Sequence, residues 1–177
     1  MEKNKFFLLF NGISLYIYWW TTFWGVANNK FLIGPILAII YFIVHFFIIK
    51  NKLKEFKYML FCLVFGFTLE SLFYFSGLMT YKGMFTNKFL PIPFWILILW
   101  IGYSLTVFHS FKWIYKRYFV SIIMGGLIAP LMYVSANKIK IINFNYDVME
   151  TYFILVPLWS LSLLILNYTS VKINENL

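Results

Sequence analysis

The sequence predicts an all-α, polytopic transmembrane helix bundle of about six spans, and three observations carry that prediction. Hydrophobic residues make up 62% of the 177 residues and charged residues only 12%, about half the charge of a soluble domain. The apolar residues gather into runs close to the ~20 residues needed to cross a hydrocarbon core. Lysine, most asparagine and several glycine and proline breakers collect between or at the ends of those runs, with no linker, low-complexity tract or internal repeat, so 1–177 is expected to be one helical domain.

In order, the expected spans are 6–26, 31–49, 58–79, 91–111, 119–136 and 152–168. The first follows a basic start with Lys3 and Lys5 that imitates a secretory signal, yet no small-residue cleavage site follows. Trp19, Trp20 and Trp24 at its far end argue for an uncleaved span with an interfacial aromatic girdle. Along it Asn11, Ser14, Tyr18, Thr21 and Gly25 recur at spacings of three and four, which traces one face turned toward other helices. Gly125 and Gly126 with Pro130 in span five, and Pro157 in span six, fit close helix contact and kinking. The connections hold Asn28 to Lys30, the run Lys50 to Lys57 that includes Glu55, Lys82 to Lys88, Lys112 to Arg117, and Asn137 to Glu150.

Orientation follows from the basic residues. Lys3, Lys5, Lys50, Lys52, Lys54, Lys57, Lys112, Lys116, Arg117 and Lys172 fall on one side, against Lys30, Lys82, Lys88, Lys138 and Lys140 on the other. That asymmetry places both termini in the cytoplasm. The net charge of +9 is then explained by topology and by contact with anionic lipid head groups. No nucleic-acid partner is expected, because the basic residues flank spans rather than forming one basic domain. The single cysteine, Cys62, lies in an apolar run and reads as a packing residue.

Glu70 is the residue most in need of explanation, a lone carboxyl in span three. At a helix centre an acidic residue costs roughly 2.5–3.5 kcal/mol on translocon-type scales, so it is either used or internally satisfied. A helical rise of about 1.5 Å per residue puts it roughly 18 Å from the start of the span, just past the middle of the core. The same arithmetic puts His109 only about 3 Å, and His45 about 9 Å, from the inner boundary. A direct pairing of Glu70 with His109 is therefore not expected, although the two histidines share a level if the span limits shift. Tyr18, Tyr103, Ser104, Tyr133 and Ser160 lie within about 6 Å of Glu70 in depth and offer hydroxyl partners. A protonated acid hydrogen-bonded to such groups is the cheaper resting form. Two roles stay open for Glu70: a structural staple between helices, or a group that handles a proton. His109, followed by Ser110 and Lys112, reads either as an interfacial residue or as a second catalytic candidate.

Absent motifs prune the list of activities. Two histidines cannot build the histidine-rich site of membrane desaturases, and no H-E-x-x-H, G-x-S-x-G or Walker loop occurs. No metal ligand set and no cofactor is assigned, since a metal would need some combination of Glu70, His45 and His109, which the depth arithmetic separates.

Several short motifs nonetheless occur together. They are Phe6 to Gly12, Leu69-Glu70-Ser71-Leu72 with Gly77-Leu78, Pro93-Phe94-Trp95 with Trp100, Phe108-His109-Ser110, Gly125-Gly126, and Ala129-Pro130-Leu131-Met132-Tyr133. In this order the chain resembles the bacterial inner-membrane family called domain of unknown function 2878, over nearly its whole length. The resemblance implies a small multi-pass protein without an established activity, in the company of genes for lipid-modifying enzymes of the cyclopropane-fatty-acid-synthase type. It draws attention to Glu70, Trp95, His109, Pro130 and Tyr133 without giving any of them a role. Glutamate stands at 70 where aspartate also occurs in that family, so the reach of the carboxyl is not critical.

The expectation is an uncharacterised integral protein of the inner membrane that takes part in lipid or fatty-acyl modification, with membrane lipid and lipid-modifying enzymes as partners. Glu70 and His109 are the catalytic candidates, and Tyr18, Trp95, Tyr103, Ser104, Pro130 and Tyr133 are the expected pocket or interhelical residues. The alternatives are a small-molecule or lipid transporter, in which Glu70 is a coupled protonation site, and a non-catalytic scaffold for lipid enzymes.

Overall fold

A computed structural model describes residues 2–83 and 90–175, residues 2–4 by backbone only. Lys88 and the side chain of Lys3, both used in the charge count, lie outside the described residues. Six α-helices are present among the described residues: α1 (Glu2–Ala27), α2 (Ile33–Ile48), α3 (Lys52–Phe75), α4 (Phe94–Ser104), α5 (Tyr118–Lys138) and α6 (Val148–Glu175). Two three-residue strands, β1 (Met79–Tyr81) after α3 and β2 (Ile142–Phe144) after α5, pair antiparallel, with Thr80 opposite Asn143.

Three helices, α3, α5 and α6, are long and apolar enough to cross a membrane. The expected count of about six spans is thus only partly realised among the described residues. α2 is apolar but 16 residues long, and α4 is apolar but only 11, where 91–111 was expected to span. At the end of α4 Ser104 and Thr106 turn their hydroxyls back onto the carbonyls of Ile101 and Tyr103, both at 2.6 Å. Such back-bonding competes with the helical ladder. The chain then runs through tight turns and a 3-10 turn at Lys112–Ile114.

Three helices end alike, which sets the architecture of one end of the bundle. α1, α3 and α5 each close with a residue of positive φ, Asn29 (59°), Gly77 (73°) and Lys140 (58°). The paired back-bonds that mark this stop are Lys30 N to Gly25 O, Leu78 N to Phe73 O and Ile141 N to Ala136 O. Directly after the second and third of these stops the chain enters β1 and β2, so the two-stranded sheet sits over the ends of α3 and α5. Lys82 donates its Nζ to the Ala27 carbonyl at 2.7 Å, tying the end of α1 to the same cap.

Helix packing depends on small residues. A Cβ at Gly125 would overlap the Trp159 backbone, and one at Gly126 would overlap the Ser160 hydroxyl, so these glycines let α5 lie against α6. Gly34 does the same for α2 against Thr22 of α1, and Gly66 for α3 against the Trp100 ring of α4. Large apolar side chains face outward all round, among them Phe6, Phe47, Leu72, Phe119 and Phe153. An apolar exterior of this extent suits a lipid surround better than water.

Candidate functional site

The buried face of α3 carries both carboxyls of interest. Glu55, Met59, Cys62, Gly66, Glu70 and Phe73 follow at intervals of three or four and are all buried. α3 begins at Lys52, with Asn51 accepting from the Lys54 N–H as its N-cap, so Glu55 stands in the first helical turn. At 1.5 Å per residue it lies about 22 Å along the axis from Glu70.

Glu70 sits in a cage of donors from three other elements. The Tyr133 hydroxyl of α5 donates to Oε1 at 2.5 Å, the Trp100 indole N–H of α4 donates to the same oxygen at 3.2 Å, and the Tyr81 hydroxyl of β1 donates to Oε2 at 2.7 Å. Each donor is itself fixed. Trp100 stacks on Trp159 of α6 at 5.5 Å and lies over Gly66, while Tyr133 meets the same Trp159 and the edge of Phe73. Burial first, and then the Glu70 charge, push the Tyr81 hydroxyl well above the ordinary phenol range, which keeps it a donor.

An apolar cavity of about 490 Å³ opens beside Glu70. α1 lines one wall through Leu15, Trp19 and Phe23, α4 contributes Trp95, Leu99 and Tyr103, and α5 closes the other side through Met124, Ile128 and Met132. α1 packs on α2 and α4, and α5 packs on α6, which leaves the cleft between the α1 and α5 walls. Tyr16, Trp20, Trp113 and Ile128 at its rim are exposed, so the cleft communicates sideways with the surroundings. Glu70 is the only carboxyl in its lining among the described residues.

Of the residues expected around Glu70, Tyr133 bonds it, and Trp95 and Tyr103 line the same cleft. Trp95 donates its indole N–H to the Lys82 carbonyl at 2.9 Å, which steadies the cap rather than Glu70. Pro130 is buried one turn before Tyr133 in α5. Tyr18 is buried under Gly102 with its hydroxyl unpaired among the described residues, and Ser104 spends its hydroxyl on its own helix. Sequence reasoning missed Tyr81 and Trp100. Tyr81 falls just outside the expected span 58–79, and Trp100 offers an indole N–H where only hydroxyl donors are expected.

His109 is not near Glu70 but beside Glu55. Its Nε2 stands 2.9 Å from Glu55 Oε1, and His45 Nε2 stands 3.6 Å from Glu55 Oε2. The two imidazole centroids are 5.1 Å apart. His109 lies in the turns after α4, at the same end of the bundle as the start of α3, which is where the depth arithmetic puts it. Asn11 of α1 holds the surroundings, donating to the Tyr41 hydroxyl at 2.7 Å and the Leu105 carbonyl at 3.0 Å, and accepting from the Ser110 hydroxyl at 2.7 Å. Tyr41 lies one turn before His45, and Ser110 directly follows His109. Glu55 escapes the sequence reading because it stands in the connecting run Lys50 to Lys57, yet stepping back from Glu70 by four, four, three and four residues lands on it.

Residues 8–165 match the family described as protein of unknown function (DUF2878), so the resemblance read from the short motifs holds over most of the chain. No curated protein and no solved structure matches the chain.

Proposed function

The chain belongs to the DUF2878 family, and we propose that it is an integral protein of the bacterial inner membrane that takes the acyl chain of a membrane lipid into the α1–α5 cleft and takes part in modifying it. The observation that carries this reading is the lone carboxyl of Glu70 facing an otherwise apolar, laterally open cavity. Its volume, about 490 Å³, lies within the ordinary range of ligand pockets.

The cage around Glu70 suits proton exchange because it satisfies the carboxyl in both states. Trp100 can only donate, so Oε1 accepts whether or not the acid is protonated. A proton therefore belongs on Oε2, from which it is donated to the Tyr81 oxygen. The Tyr81 hydroxyl hydrogen then turns to the Glu70 backbone carbonyl, 3.3 Å away. Neither state strands a buried polar group, so the carboxyl can give or take a proton without repacking of its neighbours. The lysine-rich end that holds Lys50, Lys52, Lys54 and Lys57 faces the cytoplasm, with both termini there.

The test is lipid analysis of a deletion strain complemented by wild type or by Glu70→Gln. Altered acyl chains that wild type restores and correctly inserted Glu70→Gln does not are the expected result. Restoration by Glu70→Gln would remove the proton role and leave a scaffold. Unchanged acyl chains with a changed leaflet distribution would point instead to transport. For orientation, a reporter active only in the cytoplasm should work at the C-terminus and fail near Lys138; the reverse pattern rejects the assignment.

A further inference from the structure

We infer that His45, Glu55 and His109 form a binding site for one divalent first-row transition-metal ion, separate from the Glu70 cleft. One donor atom from each residue can be chosen so that all lie within 4.8 Å of one another. Two donors bound to one ion at 2.0–2.2 Å in tetrahedral geometry stand about 3.3–3.6 Å apart. The 3.6 Å between His45 Nε2 and Glu55 Oε2 fits that spacing and is too long for a hydrogen bond.

Unpaired polar atoms are the second, independent observation. His45 is 0% exposed and Glu55 3% exposed, yet neither ring nitrogen of His45 nor Oε2 of Glu55 has a hydrogen-bond partner among the described residues. Leaving such groups buried and unpaired costs on the order of 1–3 kcal/mol each, more for a charged one. A cation between them would satisfy Glu55 Oε2 and one His45 nitrogen at once. His109, 18% exposed, offers the third ligand and the way in from outside.

Pre-organisation points the same way. The three ligands come from the last turn of α2, the first turn of α3 and the turns after α4, and Asn11 fixes two of those segments through Tyr41 and Ser110. Phe7 packs against both imidazoles, at 6.0 Å and 5.0 Å between centroids, and sets their ring planes. Two imidazoles and a carboxylate without a thiolate suit Zn2+ or Fe2+ better than Ca2+ or Mg2+. Three protein ligands leave a coordination position for water or another oxygen donor.

The full chain, purified in detergent, stripped with a chelator and titrated with Zn2+ alone, is expected to bind one ion per chain and to melt at higher temperature when it does. His45→Ala and Glu55→Gln should each weaken binding by more than the about 10–100-fold that loss of an outer partner of a metal site causes. Glu70→Gln should leave Zn2+ affinity unchanged, which separates this site from the cleft. Co2+ supplies a spectroscopic check, since visible absorption bands expected in wild type should be lost in the ligand variants. Should His45→Ala fail to fold, His109→Ala at the more exposed ligand carries the same comparison. Absence of saturable Zn2+ binding by the folded wild type, or equal affinity in the ligand variants, would reduce the cluster to a buried Glu55–His109 pair and overturn the inference.

Discussion

Glu55 and Glu70 are two carboxyls on one face of one helix, and they differ in almost everything that decides their chemistry. Glu70 receives three donors on its two oxygens, from Tyr133, Trp100 and Tyr81. Among the described residues Glu55 receives one hydrogen bond, from His109, and keeps a second oxygen without one. The first group is a carboxyl in an apolar wall with donors on both oxygens. The second is a carboxyl beside two imidazoles at the lysine-rich end, with one oxygen unpaired among the described residues. Residue type and helix face do not set the role of a buried acid; the partners that the other elements bring do.

Removing the carboxyl altogether exposes that difference most. Glu70→Leu strands Tyr81, Tyr133 and Trp100 at once, and a cost of about 2–4 kcal/mol is expected, with some of the loss recovered as hydroxyls rotate to backbone carbonyls. Glu70→Gln keeps an acceptor for Trp100 and supplies a donor for Tyr81, so it should cost less than about 1 kcal/mol. Unfolding of the detergent-solubilised protein measures both, and equal losses would mean that the cage does not act as a hydrogen-bonded unit. Next in size is Glu55→Leu in chelator-treated protein, at about 1–2 kcal/mol, because a single bond from a partly exposed histidine is lost. A larger loss here than at Glu70 would reverse the comparison.

Hydropathy made the helical, membrane-compatible character of the chain legible, and Glu70 with it, because a charge inside an apolar run is a contrast that a window can see. It could not see where α4 stops, since 91–111 stays apolar well past the end of the helix at Ser104. The depth arithmetic kept His109 away from Glu70, as the structure does, but set the two histidines at different levels unless the span limits shift, whereas their imidazole centroids stand 5.1 Å apart. Tyr81 and Glu55 were lost for a related reason. Glu55 lies in a stretch rich in lysine and Tyr81 between the end of span three and Lys82, so average polarity hid the single residue that turns inward. The three- and four-residue stripe on α3 was the signal that could have recovered Glu55.

The double variant Glu55→Leu with Glu70→Leu sharpens the separation of the two regions. About 22 Å of helix lies between them, and no described side chain bonds both. Their losses should add to within about 0.5 kcal/mol. A larger departure would show that the stacked and packed residues between them, Cys62, Gly66 and Trp100, move as one unit.

The smallest effect is expected at a carboxylate that has a full ion-pair partner and yet stands in water. Glu175 accepts from Lys116 at 2.8 Å, with the two side chains 44% and 55% exposed. The hydrogen bond and then the charge of Glu175 hold the Lys116 ammonium above the ordinary lysine range. A group shifted up contributes whatever it contributes at every pH below its unfolded value of about 10.4, and loses it only as pH rises through the higher folded value. Between pH 5 and 9 the pair should therefore impose no slope on stability. Water and salt screen it, and holding two long side chains together offsets what attraction is left. Lys116→Ala is accordingly expected to leave the melting temperature unchanged within measurement, at low salt and at high. A clear loss at low salt that disappears at high salt would show that this end of the bundle is held by charge, and that the contrast between the two buried acids and this exposed one had been drawn too sharply.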